Sequence, residues 1–296
     1  MRHIEVERLI EVPKSRIGDA PKESDASIYV REPTVITHLG QPIALYGDIS
    51  DFDFRQLLSW CKRARFGLFR RMAVQQGKEW SLPKSLELFW GYTTGRHVYT
   101  APPGVTRTTK DDPDIYRESI IPLYHRLRRE FELHMPAQYV SQFERLTSQI
   151  RPDWRIDGGM YTQVVCNKGN VWSYHLDQSN FRDSWSSMGV FSRGCVGGNT
   201  IIPALDMRFA MQGQRFLIFE GARLIHGVTP LTKVKADAYR YSFVYYAHEQ
   251  MAKMDTLEVE LRKFRRSLDK RFDADYQATR DANVQKFRRK MRKSGL

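Results

Sequence analysis

From about residue 155 onward, the chain alternates short runs of branched and aromatic residues with turns built on Gly, Asn and Pro. The runs are Met160 to Cys166, Val171 to Leu176, Ser187 to Phe191, Asn199 to Ile202, Arg215 to Phe219 and Tyr239 to Tyr246. Short strands with no helix between them bury their apolar sides by stacking sheet on sheet, which points to a sandwich or jelly roll. Ahead of them, Ile115 to Phe131 and Gln138 to Leu146 carry apolar residues at helical spacing, with Pro136 between. Two helices are therefore expected to brace one sheet.

Within this strand-rich half, His175 and Asp177 stand two residues apart, and His226 follows about fifty residues later. In an extended strand, side chains at i and i+2 share a face, so His175 and Asp177 can approach one ion together while Leu176 turns into the opposite layer. His226 follows the strand-like run Arg215 to Phe219 and precedes Gly227 and Pro230, so all three candidate ligands are expected at sheet edges. Two imidazole nitrogens and one carboxylate oxygen make a facial triad for iron(II), with open positions for a chelating co-substrate and dioxygen. A triad at the mouth of a jelly roll makes the double-stranded β-helix, the cupin-like form, the specific expectation. The class is then α+β, mainly β, with a helix-braced core.

The run Ala238 to Tyr246 alternates as a buried strand does and puts Arg240 and Ser242 on one face. Arginine keeps its charge in proteins and grips a carboxylate with two prongs. Arg240 with Ser242 therefore suits the distal carboxylate of 2-oxoglutarate, whose keto acid end would chelate the iron.

These residues, in this order, resemble the iron(II)/2-oxoglutarate dioxygenases of the TET/JBP family, which oxidise the 5-methyl group of pyrimidines in DNA. The resemblance runs from about Lys84 to His248. Phe89-Trp90-Gly91-Tyr92-Thr93 is similar to the family's FGY-type segment with one residue inserted. Cys166-Asn167-Lys168, the stretch from His175 to Asn180, Gly197 to Pro203, His226 to Pro230 and Arg240-Tyr241-Ser242 follow in the family's order. The resemblance implies that His175, Asp177 and His226 hold iron and that Arg240 and Ser242 hold oxoglutarate. It also implies that Asn180 and His248 hold the polar edge of a flipped base while Tyr246 stacks on it. An amide, an imidazole and an aromatic face suit that task chemically, and a base methyl is reachable only outside the stack. A deep pocket beside the iron is expected, with Val165 as a wall near the methyl group. Tyr245 and Tyr246 cannot share a strand face, so only one of them should reach it. The implied activity is oxidation of 5-methylcytosine to 5-hydroxymethylcytosine, or further. The alternatives are thymine, N-methyladenine, RNA or protein as substrate, or a DNA-binding module without catalysis.

A formal charge of +13 and a pI near 9.7 suit a polyanionic partner such as DNA containing 5-methylcytosine. From Ala252 to Leu296, fourteen Lys or Arg face seven Asp or Glu. Met254, Leu257, Leu261, Phe264 and Leu268 recur there at helical spacing, so a basic amphipathic helix is expected, packed on the body or a partner. Its outer face, with Arg288-Arg289-Lys290 and Arg292-Lys293, is a candidate phosphate clamp. Lys62 to Arg71 and Arg96 to Arg107 are candidate DNA-contacting segments, and Leu57, Leu58 and Trp60 mark a helix packed on the core. The organisation read from this is an extension over 1–83, a dioxygenase core over 84–250 and the basic helix over 251–296. Cys61, Cys166 and Cys195 are too scattered for a disulfide framework or a zinc ribbon, and the cysteine-rich region of the animal TET enzymes has no counterpart. With no apolar run of about 20 residues, no membrane partner is expected. A reducing interior is: a bacterial or phage-infected cytoplasm, or a nucleus in a eukaryote.

Overall fold

The alternation read after residue 155 becomes strands in the computed structural model, which describes residues 1–68, 74–76, 79–81, 84–88, 106, 109, 111–169 and 171–271. In chain order, the strands of the first part are β1 (Arg2–Glu5), β2 (Ile28–Val30), β3 (Thr34–His38), β4 (Gln41–Asp48), β5 (Gly67–Leu68), β6 (Val74–Gln76), β7 (Glu79–Ser81) and β8 (Lys84–Glu87). Those of the second part are β9 (Gln163–Lys168), β10 (Trp172–His175), β11 (Ser186–Arg193), β12 (Cys195–Gly197), β13 (Thr200–Ile202), β14 (Met207–Phe209), β15 (Gly213–Phe219), β16 (His226–Val228), β17 (Leu231–Lys233) and β18 (Tyr239–Tyr246). Helices are α1 (Arg55–Arg63), α2 (Ile121–His134), α3 (Pro136–Gln149) and α4 (Leu257–Arg271).

Among the described residues, a large sheet runs in the order β1-β3-β4-β15-β11-β18-β9-β8-β5 and a smaller one in the order β10-β16-β13-β14-β2. The two stack as the halves of a double-stranded β-helix, with two main cores and a small third cluster of Ala26, Tyr174, Ile201 and Ile225. Helices α2 and α3 cover the outer face of the large sheet, where Leu123, Leu127 and Phe131 meet Phe191, Phe243 and Tyr245. Between the sheets lies the second core, with Tyr46, Val190, Leu217 and Phe219 against Ile202, Met207 and Phe209. Covered on both sides, β11 is buried from Ser186 to Ser192, with Leu123 of α2 packed over its Gly189.

Several boundaries differ from the sequence reading. Pro136 does not merely separate two helices; it opens α3 at its first position, where proline's missing N–H and fixed φ cost nothing. The helical pattern from Ile115 begins as a π-type turn over Tyr116–Ile120 before α2 continues it. Residues 1–48 supply strands to both sheets: β3 and β4 extend the large one beyond β15, and β2 adds to β14 as a parallel edge. Of the basic helix expected over 251–296, residues 272–296 lie outside the described residues, and the part described is α4. It is tied down by Trp154 Nε1 donating to Asp255 O at 2.7 Å, with Met254 and Leu257 packed against the outer core. Helix α1 buries Leu57, Trp60 and Cys61. The FWGYT segment, most of Arg96 to Arg107, the end of the Lys62 to Arg71 run and the basic cluster after Arg288 lie outside the described residues. Among the described residues, no helix is long and apolar enough to cross a membrane.

Candidate active site

His175 ends β10 and His226 begins β16, and the two strands pair with these residues opposite each other, after a bulge between Trp172 and His175. Their rings lie 4.2 Å apart between centroids. Asp177 is not on the strand that was expected to carry it. The strand stops at His175, and Asp177 N donates instead to Gly221 O at 3.0 Å, after which Asn180 N closes a turn on Asp177 O. His226, for its part, opens an interior strand of the small sheet, with β10 on one side and β13 on the other. The carboxylate nevertheless reaches both rings: Asp177 Oδ1 is 3.6 Å from His175 Nε2 and Asp177 Oδ2 is 3.9 Å from His226 Nε2. One ligand atom from each residue lies within 4.8 Å of the others, a group that can hold a metal ion.

Both imidazoles are oriented for that task. His175 Nδ1 lies 2.7 Å from Ser173 O and His226 Nδ1 lies 2.9 Å from Leu224 O. A carbonyl partner requires the proton on Nδ1, which leaves each Nε2 lone pair for a metal. Burial, and then the neighbouring His175, hold the His226 imidazole down to about 4, so it is neutral at pH 7. Phe219 abuts the His226 ring edge-on at 4.8 Å. Gly221 had no place in the sequence reading, yet a Cβ there would lie 2.3 Å from Asp177 Oδ2. The bare backbone makes room for the carboxylate.

On β18, Arg240, Ser242, Val244 and Tyr246 share the inner face, while Tyr241, Phe243 and Tyr245 point into the helix-covered core. Arg240 is 2% exposed, and none of its three guanidinium nitrogens has a hydrogen-bond partner among the described residues. Burial brings it down to about 10, which leaves it charged at neutral pH. It lies against Gly198, where a Cβ would stand 3.1 Å from both Arg240 Cδ and Nε. Beside it, Ser85 Oγ donates to Asn167 Oδ1 at 2.6 Å, and Asn167 Nδ2 donates to Ser242 Oγ at 3.4 Å. With its oxygen accepting, the Ser242 hydroxyl proton is available to a ligand. Thr200, absent from the sequence reading except as part of a motif, is buried on β13 with its hydroxyl unpartnered among the described residues. It pairs in register with Val228, two residues along β16 from His226.

The three proposed base contacts also come together. Asn180 and His248 form an isolated antiparallel bridge, and both are 3% exposed. Asn180 Nδ2 donates to Ser186 Oγ at 2.8 Å and reaches Asp177 Oδ2 at 3.4 Å. His248 Nδ1 accepts from Gln250 N at 3.2 Å, and burial lowers the ring's pKa, so the neutral ring carries its proton on Nε2. Tyr246 is half-buried, and its phenol is pushed up by burial and by Glu87 and Asp177 nearby. Tyr245 faces away, donating to Ile120 O at 2.8 Å. Val165 pairs with Val244 on the inner face. A cavity of about 600 Å³ is lined by Lys22, Glu23, Tyr29, Asn199 and Gln212 among others, and none of the candidate ligands lines it.

No family model and no curated protein matches the sequence. Solved structures do. The chain is similar to NgTET1 in complex with 5mC DNA, at 14% identity over 81% of this chain and 87% of that one, with a TM-score of 0.55. A 2OG-Fe(II) oxygenase-family oxidoreductase from Burkholderia pseudomallei matches at 11% identity, over 69% and 84%, with a TM-score of 0.41. A Pseudomonas putida prolyl-4-hydroxylase matches at 11% identity, over 69% and 92%, with a TM-score of 0.36. The likeness to the first is one of fold, and the chain is a helix-braced double-stranded β-helix protein carrying a His-Asp-His group that can hold a metal ion.

Proposed function

We propose that this protein is an Fe(II)/2-oxoglutarate-dependent dioxygenase that oxidises the methyl group of 5-methylcytosine in DNA to 5-hydroxymethylcytosine. The observation that carries the reading is Arg240. A buried cation with no partner is costly, and a carboxylate arriving in a dry site repays that cost with charge-assisted hydrogen bonds. Arg240 lies against Gly198, Thr200 stands two residues on, and Thr200 pairs with Val228, two residues from His226, so a dicarboxylate held at one end by Arg240, Ser242 and Thr200 would have its other end toward His175, Asp177 and His226. Iron(II) held by those three, with oxoglutarate and dioxygen, supplies the oxidant that turns a methyl C–H into C–OH while oxoglutarate leaves as succinate and carbon dioxide.

The chain's own part is to hold the reactants. Asn180, with its amide nitrogen engaged by Ser186, presents its carbonyl oxygen to a base amino group, and neutral His248 presents an N–H to a ring acceptor. Tyr246 offers a stacking face to a flipped base. The charge of +13 supports a polyanionic substrate, and the likeness in fold to a protein solved with 5mC DNA supports methylated DNA.

Nucleoside mass spectrometry tests this directly. Iron-loaded protein with oxoglutarate and ascorbate is mixed with DNA carrying 5-methylcytosine, and an unmethylated control runs beside it. The expected product is 5-hydroxymethylcytosine, dependent on oxoglutarate and lost in His175→Ala. Oxidation confined to thymine or N-methyladenine would retain the oxygenase and overturn the base assignment. DNA binding without turnover of any base would favour the non-catalytic module.

A further inference from the structure

Among the described residues, Arg240 is not the only unsatisfied donor on the inner face. Gln163, the first residue of β9, is 1% exposed, and its side-chain Nε2 has no hydrogen-bond partner among the described residues. Its neighbour Val164 points into the helix-covered core, so Gln163 faces inward. It pairs in register with Tyr246, the proposed stacking platform. On the opposite flank of Tyr246, the pairing of Ser187 with Tyr245 puts Ser186 alongside, and Ser186 holds the Asn180 amide at 2.8 Å. A base on Tyr246 therefore has Asn180 at one edge and Gln163 at the other. Two strand spacings, about 9.6 Å backbone to backbone, separate Gln163 from Ser186, with Tyr246 on the strand between them.

The chemistry of the two flanks is complementary. Asn180 has its amide nitrogen occupied and offers an acceptor; Gln163 offers a buried donor. Cytosine presents an amino donor at C4 and a carbonyl acceptor at C2, at opposite ends of its pairing edge. We infer that Gln163 is a substrate-contacting residue whose side-chain amide donates to O2 of the flipped base, fixing its orientation against Tyr246 opposite Asn180. This rests on the proposed function and names a contact that the resemblance to the TET/JBP family does not supply. A pocket built around a buried donor penalises any base that leaves the donor unmet, so the contact sets specificity as well as affinity.

The test is a cycle between protein and substrate. Gln163→Met removes the donor at nearly constant volume, and Gln163→Glu keeps the shape while replacing the donor by an acceptor, so a folding defect in one does not obscure the other. DNA is prepared with 5-methylcytosine and with its analogue carrying sulfur in place of O2. Either variant should lower kcat/KM for methylcytosine DNA by about thirtyfold; in Gln163→Met the affinity for oxoglutarate and the unfolding midpoint should hold, whereas Gln163→Glu buries a carboxylate and should lower the midpoint. The sulfur analogue should slow the wild type by a similar factor and the Gln163→Met variant little further. Wild-type kinetics in both variants, or losses from protein and substrate that multiply, would overturn the contact. Wild-type protein that consumes oxoglutarate yet leaves methylcytosine unchanged would instead overturn the proposed function, and this contact with it.

Discussion

The two faces of β18 are built from alternate residues of one strand and solve opposite problems. Outward, Tyr241, Phe243 and Tyr245 close a core under α2, and the Tyr245 hydroxyl finds Ile120 O. Among the described residues, that layer leaves phenol oxygens unpartnered at Tyr116, Tyr124 and Tyr139, and these are neutral. Inward, the same strand buries a permanent cation whose three nitrogens have no partner among the described residues, and six residues along, opposite Tyr246, β9 buries a Gln163 amide nitrogen that has none there either. Burying a neutral hydroxyl without a partner costs little beside burying an unpaired charge. One face is finished by the chain itself; the other is finished only by what binds to it.

The comparison predicts that mutations on the two faces separate stability from activity. Phe243→Ala on the outer face should cost about 3–5 kcal/mol of stability by opening a cavity. Denaturant unfolding checks this, and the protein that remains folded should keep its affinity for oxoglutarate. Arg240→Met should do the reverse. Losing charge-assisted hydrogen bonds to a carboxylate should raise KM for oxoglutarate roughly hundredfold, equivalent to about 2–3 kcal/mol. The unfolding midpoint of the oxoglutarate-free protein should hold or rise, because an uncompensated buried cation is gone. A stability loss in Arg240→Met as large as that in Phe243→Ala would show that the inner face is structural too.

The strand-rich half was legible because each strand carries its own alternation and its own turn residues. Tyr239–Tyr246 was read to the residue, and its alternation said that only one of Tyr245 and Tyr246 would look inward; Tyr245 lies in the helix-covered core and Tyr246 on the other face. The amino-terminal strands were not legible. The three residues of β2 pair in parallel with Met207–Phe209, and β1 pairs with β3, so their conformation is set by partners elsewhere in the chain rather than by local pattern. The site divides the same way. His175, Asp177, His226 and Arg240 announce themselves by residue type and spacing. Gly221 and Gln163 do not, since a glycine in a turn and a glutamine opening a strand are ordinary until tertiary register sets one against a carboxylate and the other against Tyr246.

Gly221 sharpens the contrast at a single atom. In Gly221→Ala the new methyl group would meet the end of the Asp177 side chain, which can rotate away at little cost to the fold. The metal cannot follow, because His175 and His226 are held by their carbonyl partners. Iron affinity, read by competition with a chelator, should fall about 10–100-fold, the range seen when a ligand's supporting shell is disturbed. The unfolding midpoint of the metal-free protein should move little. Equal loss in both would mean that the carboxylate is locked into the core rather than poised beside it.

The smallest effect tests the outer face against its own chemistry. Tyr245→Phe deletes one hydroxyl and leaves Ile120 O without that partner, at a cost of about 1 kcal/mol. The ring remains, so the packing against Tyr124 at 6.0 Å is kept. Because Tyr245 points away from the metal group, the proposed turnover should be unchanged in the folded protein, whereas Tyr246→Phe on the adjacent residue alters the surface proposed to meet the base. If Tyr245→Phe changed KM for DNA while Tyr246→Phe did not, the assignment of the two faces would be reversed and the substrate would have to enter from the helix side.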